Sequence, residues 1–188
     1  MQREQLKVLL LQIRDDHKVR AEELESFARY SQLNVGQIDV LNVFDTPSFN
    51  TSVLEGYNAL YVGGASEANV LEPKIYPFVN DCISLIKFAG DTSVPTFASC
   101  FGFQLAVLAF GGKIVSKDVD YEMGSIPITL TNLATIDPVF SGTPDKFPAL
   151  SIHRQYASEL PAGLDLLAYT SDCLHSFKLR NKPLWAFQ

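Results

Sequence analysis

The stretch Val94-Pro-Thr-Phe-Ala-Ser-Cys-Phe-Gly-Phe-Gln-Leu-Ala-Val-Leu-Ala-Phe-Gly-Gly-Lys113 joins a short apolar run to a longer one through a cysteine. This pattern predicts a buried strand, a tight turn that carries Cys100, and a helix, an arrangement called a nucleophile elbow. Such a turn pushes its side chain into the open, and the helix that follows directs free amides and its positive dipole end toward that side chain. Cys100 is therefore the candidate nucleophile, because both features favour a reactive thiolate.

Strand-like and helix-like segments alternate before the elbow. The predicted strands cover residues 6–13, 38–44 and 59–62, and the predicted helices cover residues 19–33 and 73–88. Alternation of this kind is typical of a doubly wound α/β fold with a mostly parallel sheet. Shorter β-type stretches after the elbow predict antiparallel additions in the C-terminal half. They cover residues 113–115, 126–131, 150–153, 164–170 and 176–179.

The composition is that of an ordinary globular protein, with 188 residues of which 47% are hydrophobic and 19% are charged. We expect residues 1–188 to form a single domain. The net charge of −6 argues against a broad surface for nucleic acid or anionic membrane, so small molecules are the expected partners. No apolar run approaches the roughly 20 residues that a membrane span needs, and the polar start is unlike a signal peptide. A cytoplasmic location is the resulting prediction.

The three cysteines are widely spaced and include no Cys-x-x-Cys pair. Such a set fits a reducing compartment and offers no zinc framework. Cys82 lies on the predicted inner face of a helix and is expected in the core, and Cys173 is expected to be a packed thiol. Since the chain also contains no Gly-x-x-x-x-Gly-Lys-Ser loop, the sequence predicts neither a metal nor another cofactor.

Several blocks of the chain occur in the order found in one enzyme family. They are Gly63-Gly64, the Cys-x-Gly-x-Gln pattern at residues 100–104, Gly111-Gly112-Lys113-Ile114-Val115, Tyr121-Glu122-Met123-Gly124, Asp137-Pro138-Val139-Phe140, and His153 followed by Glu159-Leu160-Pro161-Ala162-Gly163. Over nearly the whole chain they resemble class I glutamine amidotransferases, particularly single-domain proteins similar to the amidotransferase part of GMP synthase. The resemblance implies a flavodoxin-like fold and glutamine as the substrate.

The expected chemistry is hydrolysis of a carboxamide. Cys100 would attack the side-chain amide of glutamine, or of a γ-glutamyl compound, release ammonia and form a glutamyl thioester that water then hydrolyses. The backbone N–H of Phe101 and one from the loop at Gly64 would stabilise the oxyanion. Gly63 and Gly102 would keep backbone close to the substrate, and the resemblance adds Gln104 and His153 as substrate-binding residues. A separate synthase could accept the ammonia.

In the resembling family the general base is a histidine in a His-Pro-Glu block that follows a strand. Residues 184–188 look like that strand, and the block is not among the 188 residues. We therefore expect a domain truncated at its C-terminus, without its family-type base. One alternative is a catalytically disabled relative that binds a ligand or a partner. Another is a Cys hydrolase of the intracellular protease-like superfamily, which explains Gln104 poorly.

Three histidines could substitute for the base. His17 follows the first strand and is predicted to be a solvated loop residue, although that end of a parallel strand is also where ligands bind. For His153 a binding or structural role is favoured over that of a base. His175 is interpreted as a surface or strand-end residue, and Glu122 as a structural or subsite residue rather than a catalytic acid.

Overall fold

The computed structural model describes residues 2–188, which form eleven strands and three α-helices. The strands are β1 (Val8–Gln12), β2 (Ile38–Asn42), β3 (Ala59–Val62), β4 (Thr96–Ser99), β5 (Lys113–Ser116), β6 (Met123–Leu130), β7 (Lys146–Ile152), β8 (Gln155–Glu159), β9 (Leu164–Tyr169), β10 (Leu174–Leu179) and β11 (Leu184–Phe187). The helices are α1 (His17–Ser31), α2 (Phe78–Asp91) and α3 (Phe101–Ala109). Within residues 2–188, no helix has the length and apolar character needed to cross a membrane.

Nine strands form one sheet in the order β2-β1-β3-β4-β11-β10-β9-β6-β7. The first five of these are parallel, and the antiparallel pairing begins where β11 meets β10. Strands β5 and β8 pair separately in an antiparallel two-stranded sheet. The predicted fold class, a doubly wound parallel core with antiparallel additions in the C-terminal half, is confirmed.

Alternate residues of β1 enter two different cores, because successive side chains of a strand point to opposite faces. Leu9 and Leu11 pack in the large core that includes α2 and α3. Val8 and Leu10 pack with Ala28 of α1 in a smaller core on the other face. Helices therefore cover both faces of the parallel half, and this is why residues 6–13 form a continuous apolar run.

Two helix starts differ from those predicted. α1 begins at His17 rather than at residue 19, because the Asp16 side chain caps it by accepting hydrogen bonds from the N–H groups of Lys18 and Val19. α2 begins at Phe78 rather than at residue 73, with Pro77 immediately before it. Pro77 cannot donate the backbone hydrogen bond that a helix starting at residue 73 would require of it.

The C-terminal half contains one strand that the sequence analysis did not predict. Strand β8 is short, and only Ala157 among its five residues is buried. It pairs with β5 outside the main sheet, from Gln155 opposite Ser116 to Glu159 opposite Lys113. A short strand with one buried residue shows too little alternation to be recognised from its sequence.

Side-chain contacts hold the turn at Asp137 against the main sheet. The indole Nε1 of Trp185 donates to Asp137 Oδ1 at 3.0 Å, and Lys178 Nζ lies 3.3 Å from Asp137 Oδ2. Asp137 itself is buried, so these two donors satisfy a carboxylate that has little access to water. The contacts fasten the turn to β10 and β11.

Helix α3 is buried at eight of its nine residues and is apolar except for Gln104, as expected for a helix inside the core. It approaches β3 most closely at Gly102. A Cβ atom on Gly102 would lie 2.9 Å from both Val62 Cγ1 and the Val62 carbonyl oxygen. The backbone oxygen cannot rotate away, so glycine is required at this contact.

We expect Gly102→Ala to lower the free energy of unfolding by about 1–3 kcal/mol, the usual cost of overpacking a core. Gly36→Ala is the matched control, because a Cβ at Gly36 meets nothing within 4 Å. That variant should stay within about 0.5 kcal/mol of the parent chain. Urea unfolding followed by circular dichroism measures both, and equal stability of the two variants would contradict the proposed contact with β3.

Candidate active site

The elbow has the geometry that the sequence predicts. Cys100 lies between the end of β4 and the start of α3, with φ 54° and ψ −104°. A non-glycine residue in this part of backbone space costs of order 1–3 kcal/mol and is held there only by its surroundings. The Cys100 N–H donates to the carbonyl of Phe187 at 2.7 Å. Unlike Cys82 and Cys173, which are buried, Cys100 is partly exposed.

The Cys100 thiol is subject to opposing influences on its pKa. Burial is the largest and raises the pKa above its ordinary value. Hydrogen bonds from the N–H groups of Phe101 and Ala65, together with the positive charge of Arg14, lower it, and the negative charge of Glu23 raises it again. The net effect is a raised pKa, so most of the thiol is protonated at neutral pH.

An ion pair that the sequence analysis missed lies against the loop after β3. Arg14 Nε donates to Glu23 Oε1 at 3.0 Å, and both side chains are mostly buried. A Cβ atom would lie 2.8 Å from the Glu23 carboxylate oxygens at Gly63, and 2.8 Å from Arg14 Nη2 at Gly64. The two glycines therefore leave room for the ion pair. Arg14 follows β1 and Glu23 lies on α1, and neither position carries a motif.

The two expected oxyanion donors are placed differently. The N–H of Phe101 is close enough to the Cys100 thiol to lower its pKa, and it belongs to the residue after the cysteine, the position of an oxyanion donor in an elbow. The N–H of Gly64 instead donates to Glu23 Oε1 at 3.3 Å, and the next amide along the chain, that of Ala65, is the one that lowers the pKa of the Cys100 thiol. The Glu23 carboxylate accounts for this one-residue difference, because it accepts the Gly64 hydrogen bond.

The expected substrate-binding residues lie around the elbow and β8. The N–H of Gly102 donates to the carbonyl of Gly63 at 3.2 Å. Gln104 is buried, and its side-chain Nε2 donates to the carbonyl of Gln155 at 3.3 Å. His153 Nδ1 lies 3.0 Å from that same carbonyl oxygen. Gln104 and His153 thus meet at one backbone oxygen at the start of β8.

The three histidines lie in two places. His17 is exposed at the first turn of α1. His153 and His175 are both buried, and each has its Nε2 within hydrogen-bonding distance of Glu122 Oε2. His175 is indeed near the end of a strand, but it is buried rather than at the surface. Among the hydrogen bonds of residues 2–188, none joins a histidine to Cys100.

Glu122, His153, Cys173 and His175 form a cluster whose ligand-type atoms all lie within 4.8 Å of one another. We call these four residues the Glu-His-Cys-His cluster. Burial raises the pKa of the Cys173 thiol to about 12 and lowers the pKa of His175. Burial also acts to raise the pKa of Glu122, but hydrogen bonds led by that from Thr170 hold it below its ordinary value. The sequence analysis predicted no such cluster.

An open pocket of about 580 Å³ lies between α1 and the sheet. Its walls include Phe27, Tyr61 and Phe97, whose rings pack against one another, and it extends to Ser99 and Glu23. Cys100 is not among its lining residues. The pocket therefore adjoins the elbow without containing the thiol.

Comparison with known proteins matches the chain to one family model and to several GMP synthases. The family model for glutamine amidotransferase class-I matches residues 44–188. GMP synthase [glutamine-hydrolyzing] of Borreliella burgdorferi strain B31 is 32% identical over 169 residues, covering 88% of this chain and 31% of the relative. One subunit of the GMP synthase [glutamine-hydrolyzing] of Methanocaldococcus jannaschii is 25% identical over 114 residues, covering 60% of this chain and 58% of the relative. The chain thus spans less than a third of the Borrelia-type synthases that it matches.

Among solved structures, a glutamine amidotransferase from Thermotoga maritima superimposes with a TM-score of 0.78 at 18% identity. The match covers 97% of this chain and 74% of the Thermotoga protein. At that identity the likeness establishes the fold alone. The family rests on the model match over residues 44–188, which includes the elbow. The chain belongs to the class I glutamine amidotransferase family.

Proposed function

We propose that this chain is a glutamine amidotransferase-type Cys hydrolase, which releases ammonia from the side-chain amide of glutamine or of a γ-glutamyl compound. The observation that carries the proposal is Cys100 at a positive φ of 54°, with the backbone amides of Phe101 and Ala65 near enough to lower the pKa of its thiol. Two backbone donors beside a nucleophile are the arrangement needed to stabilise an oxyanion.

The reaction proceeds in two steps. The Cys100 sulfur attacks the amide carbon, and the negative charge that develops on the carbonyl oxygen is stabilised by backbone N–H groups, each worth roughly 3 kcal/mol. The carbon–nitrogen bond then breaks, the nitrogen takes up a proton and leaves as ammonia, and a glutamyl thioester remains. Water attacks the thioester, which returns Cys100 and gives glutamate. The sum is glutamine plus water giving glutamate plus ammonia.

The other site residues supply oxyanion donors or hold the backbone around Cys100 in place. Phe101 supplies one oxyanion donor, and the loop after β3 supplies the second, through Ala65 while Glu23 holds the Gly64 amide. Gly63 and Gly102 keep the loop and α3 in contact, with their backbone groups 3.2 Å apart. Gln104 shapes the substrate side of the elbow through the Gln155 carbonyl. His153, which shares that carbonyl, is a positioning residue rather than the base.

Proton transfer from the Cys100 thiol and to the departing ammonia is the step for which residues 2–188 provide no evident general base. General acid–base catalysis contributes about 10²–10⁴-fold in rate, and none of the histidine contacts within residues 2–188 reaches Cys100. The family resemblance assigns this task to the histidine of a His-Pro-Glu block. We therefore expect these 188 residues by themselves to hydrolyse glutamine slowly.

A second candidate function is binding without catalysis. The raised pKa of Cys100 and the lack of a histidine contact to it in the described part of the chain favour this alternative. The domain would then hold a ligand or a partner through the same elbow. For the amidotransferase function, a separate ammonia-accepting synthase is the proposed partner. The Methanocaldococcus relative, which is named as one subunit of a GMP synthase, supports that choice.

Labelling with a glutamine analogue tests the nucleophile without requiring a base for ammonia. In a chloroketone analogue of glutamine, a chloromethyl group replaces the amide nitrogen, and thiolate attack displaces chloride to form a thioether. We expect one label per chain on Cys100, prevented by excess glutamine and lost in Cys100→Ser. Intact-protein and peptide mass spectrometry make the measurement. Cys82→Ser is the control and should label like the parent chain. Equal labelling of Cys100→Ser would contradict the assignment.

Two charge-removing variants with opposite expected effects test the ion pair beside the thiol. Because Arg14 lowers the pKa of Cys100 and Glu23 raises it, Arg14→Gln should slow alkylation by iodoacetamide at neutral pH by a few-fold, and Glu23→Gln should accelerate it. The rate of Cys100 carbamidomethylation, followed by mass spectrometry across pH 6–9, gives the comparison. Rates that change in the same direction in both variants would show that the substitutions act through structure rather than charge.

Chemical rescue distinguishes the enzyme from the binding module. We expect slow release of glutamate by the parent chain, acceleration by added imidazole, and no release from Cys100→Ala with or without imidazole. Coupled detection of glutamate with glutamate dehydrogenase gives the rates. Fast hydrolysis without imidazole would mean that a group among these residues already acts as the base. Binding of glutamine with neither labelling nor hydrolysis would favour the second function.

A further inference from the structure

The Glu-His-Cys-His cluster is assembled from three separate parts of the chain. Glu122 precedes β6, His153 follows β7, and Cys173 and His175 lie at the start of β10. The side chains of Glu122, His153 and His175 are no more than 9% exposed, and the Cys173 residue is 5% exposed. Buried polar groups of this kind must find partners or be strongly destabilising, so their convergence on one point needs a physical explanation.

The hydrogen-bond pattern of His153 brings two acceptor atoms face to face. Its Nδ1 lies 3.0 Å from the Gln155 carbonyl oxygen, which can only accept, so Nδ1 carries the proton. In the neutral ring, Nε2 then presents a lone pair. That lone pair faces Glu122 Oε2, another acceptor, at 3.1 Å. The two acceptor atoms face each other, and a metal ion placed between them would be bound by both.

The surroundings of that position resemble the donor set of a transition metal. His175 Nε2 lies 2.7 Å from Glu122 Oε2, and the Cys173 sulfur lies 3.3 Å from the same oxygen. The sulfur is also 3.2 Å from His175 Nε2 and 4.0 Å from His153 Nε2. Two imidazoles, one carboxylate and one thiolate are ligands of zinc, whereas Mg²⁺ and Ca²⁺ prefer oxygen alone. The Cys173 thiol would release its proton to solvent as the ion binds.

Hydrogen bonds from neighbouring groups orient His153 and Glu122, as hydrogen bonds to ligand side chains do in metal sites. A metal-bound histidine commonly donates its other ring N–H to a carbonyl, and His153 does so to Gln155. A metal-bound carboxylate is commonly hydrogen-bonded through its free oxygen. Glu122 Oε1 accepts from the Thr170 hydroxyl at 2.5 Å, and that hydroxyl oxygen accepts in turn from the Cys173 N–H at 3.1 Å. Thr170 thereby fixes two members of the cluster at once.

We propose that Glu122, His153, Cys173 and His175 bind one divalent transition-metal ion, with zinc the best match to the four donors. Zinc ligands lie about 2.0–2.3 Å from the ion, so the Glu122 carboxylate, which is central in the cluster, moves aside as the ion enters. All four positions are then taken by protein, which is the pattern of a structural site rather than of a catalytic one. The ion ties together the segment before β6, the β7–β8 connection and the start of β10.

This inference does not depend on the proposed amidotransferase chemistry, and its test is metal binding. The purified 188-residue chain is stripped with a chelator, returned to metal-free buffer and titrated with Zn²⁺ in competition with a chromophoric chelator. We expect one equivalent per chain and a thermal unfolding midpoint that rises until one equivalent is present. With Co²⁺ in place of Zn²⁺, we expect the intense visible bands of a tetrahedral site and a thiolate-to-cobalt charge-transfer band.

Substitutions inside and outside the cluster test where the ion binds. Cys173→Ser should abolish the charge-transfer band, and His175→Ala should weaken Zn²⁺ binding by more than the about 10–100-fold typical of losing an outer contact. Cys100→Ser and His17→Gln are the matched controls, a cysteine and a histidine outside the cluster, and both should bind like the parent. Circular dichroism checks that each variant folds. If His175→Ala is unfolded, the titration and cobalt spectrum of the parent chain still decide the question.

Three results would overturn the proposal. The first is absence of stoichiometric Zn²⁺ binding by the parent chain, which would mean that the four side chains are held together by their hydrogen bonds alone. The second is binding that Cys173→Ser and folded His175→Ala retain at the parent affinity. The third is a charge-transfer band that disappears in Cys100→Ser instead of Cys173→Ser, because that would place the ion at the elbow.

Discussion

The left-handed backbone at Cys100 is the constraint on which the rest of the site depends. It turns the chain from β4 into α3 within one residue and leaves the thiol partly exposed at the end of a buried strand. The conformation is unfavourable by itself, and neighbouring contacts maintain it. β11 pairs with β4 and accepts the Cys100 N–H, and Gly102 lets α3 pack directly on β3. Burial of α3 on all sides offsets the local strain, since each buried methylene contributes about 0.8 kcal/mol.

The same close packing determines the electrostatics around the thiol. A single charge about 4 Å away would be worth about 4 kcal/mol at an intermediate dielectric, enough to move a pKa by several units. Here the charges come as a pair, with Arg14 and Glu23 joined at 3.0 Å, so their effects on Cys100 largely oppose each other. Burial therefore decides the direction of the shift.

Sequence patterns predicted the parts of this fold that depend on local periodicity, and missed those that depend on tertiary contacts. The continuous apolar run of β1 identified a central strand, and the two apolar runs joined through Cys100 identified the elbow. The Arg14–Glu23 pair was missed because it joins a loop to a helix through packing.

The Glu-His-Cys-His cluster was missed because zinc frameworks are recognised by closely spaced ligands, and only Cys173 and His175 are close in sequence. Glu122 and His153 join them because β6 pairs with both β7 and β9, which no spacing in the chain reports.

The elbow and the cluster are linked by short backbone paths. The Gln155 carbonyl contacts both Gln104 in α3 and His153 in the cluster. On the other side, Phe187 accepts the hydrogen bond from the Cys100 N–H, and the N–H of Gln188 donates to the His175 carbonyl at 2.8 Å. The first residue of β8 and the end of β11 thus each contact both groups. The cluster therefore contacts the same backbone segments that hold the turn at Cys100.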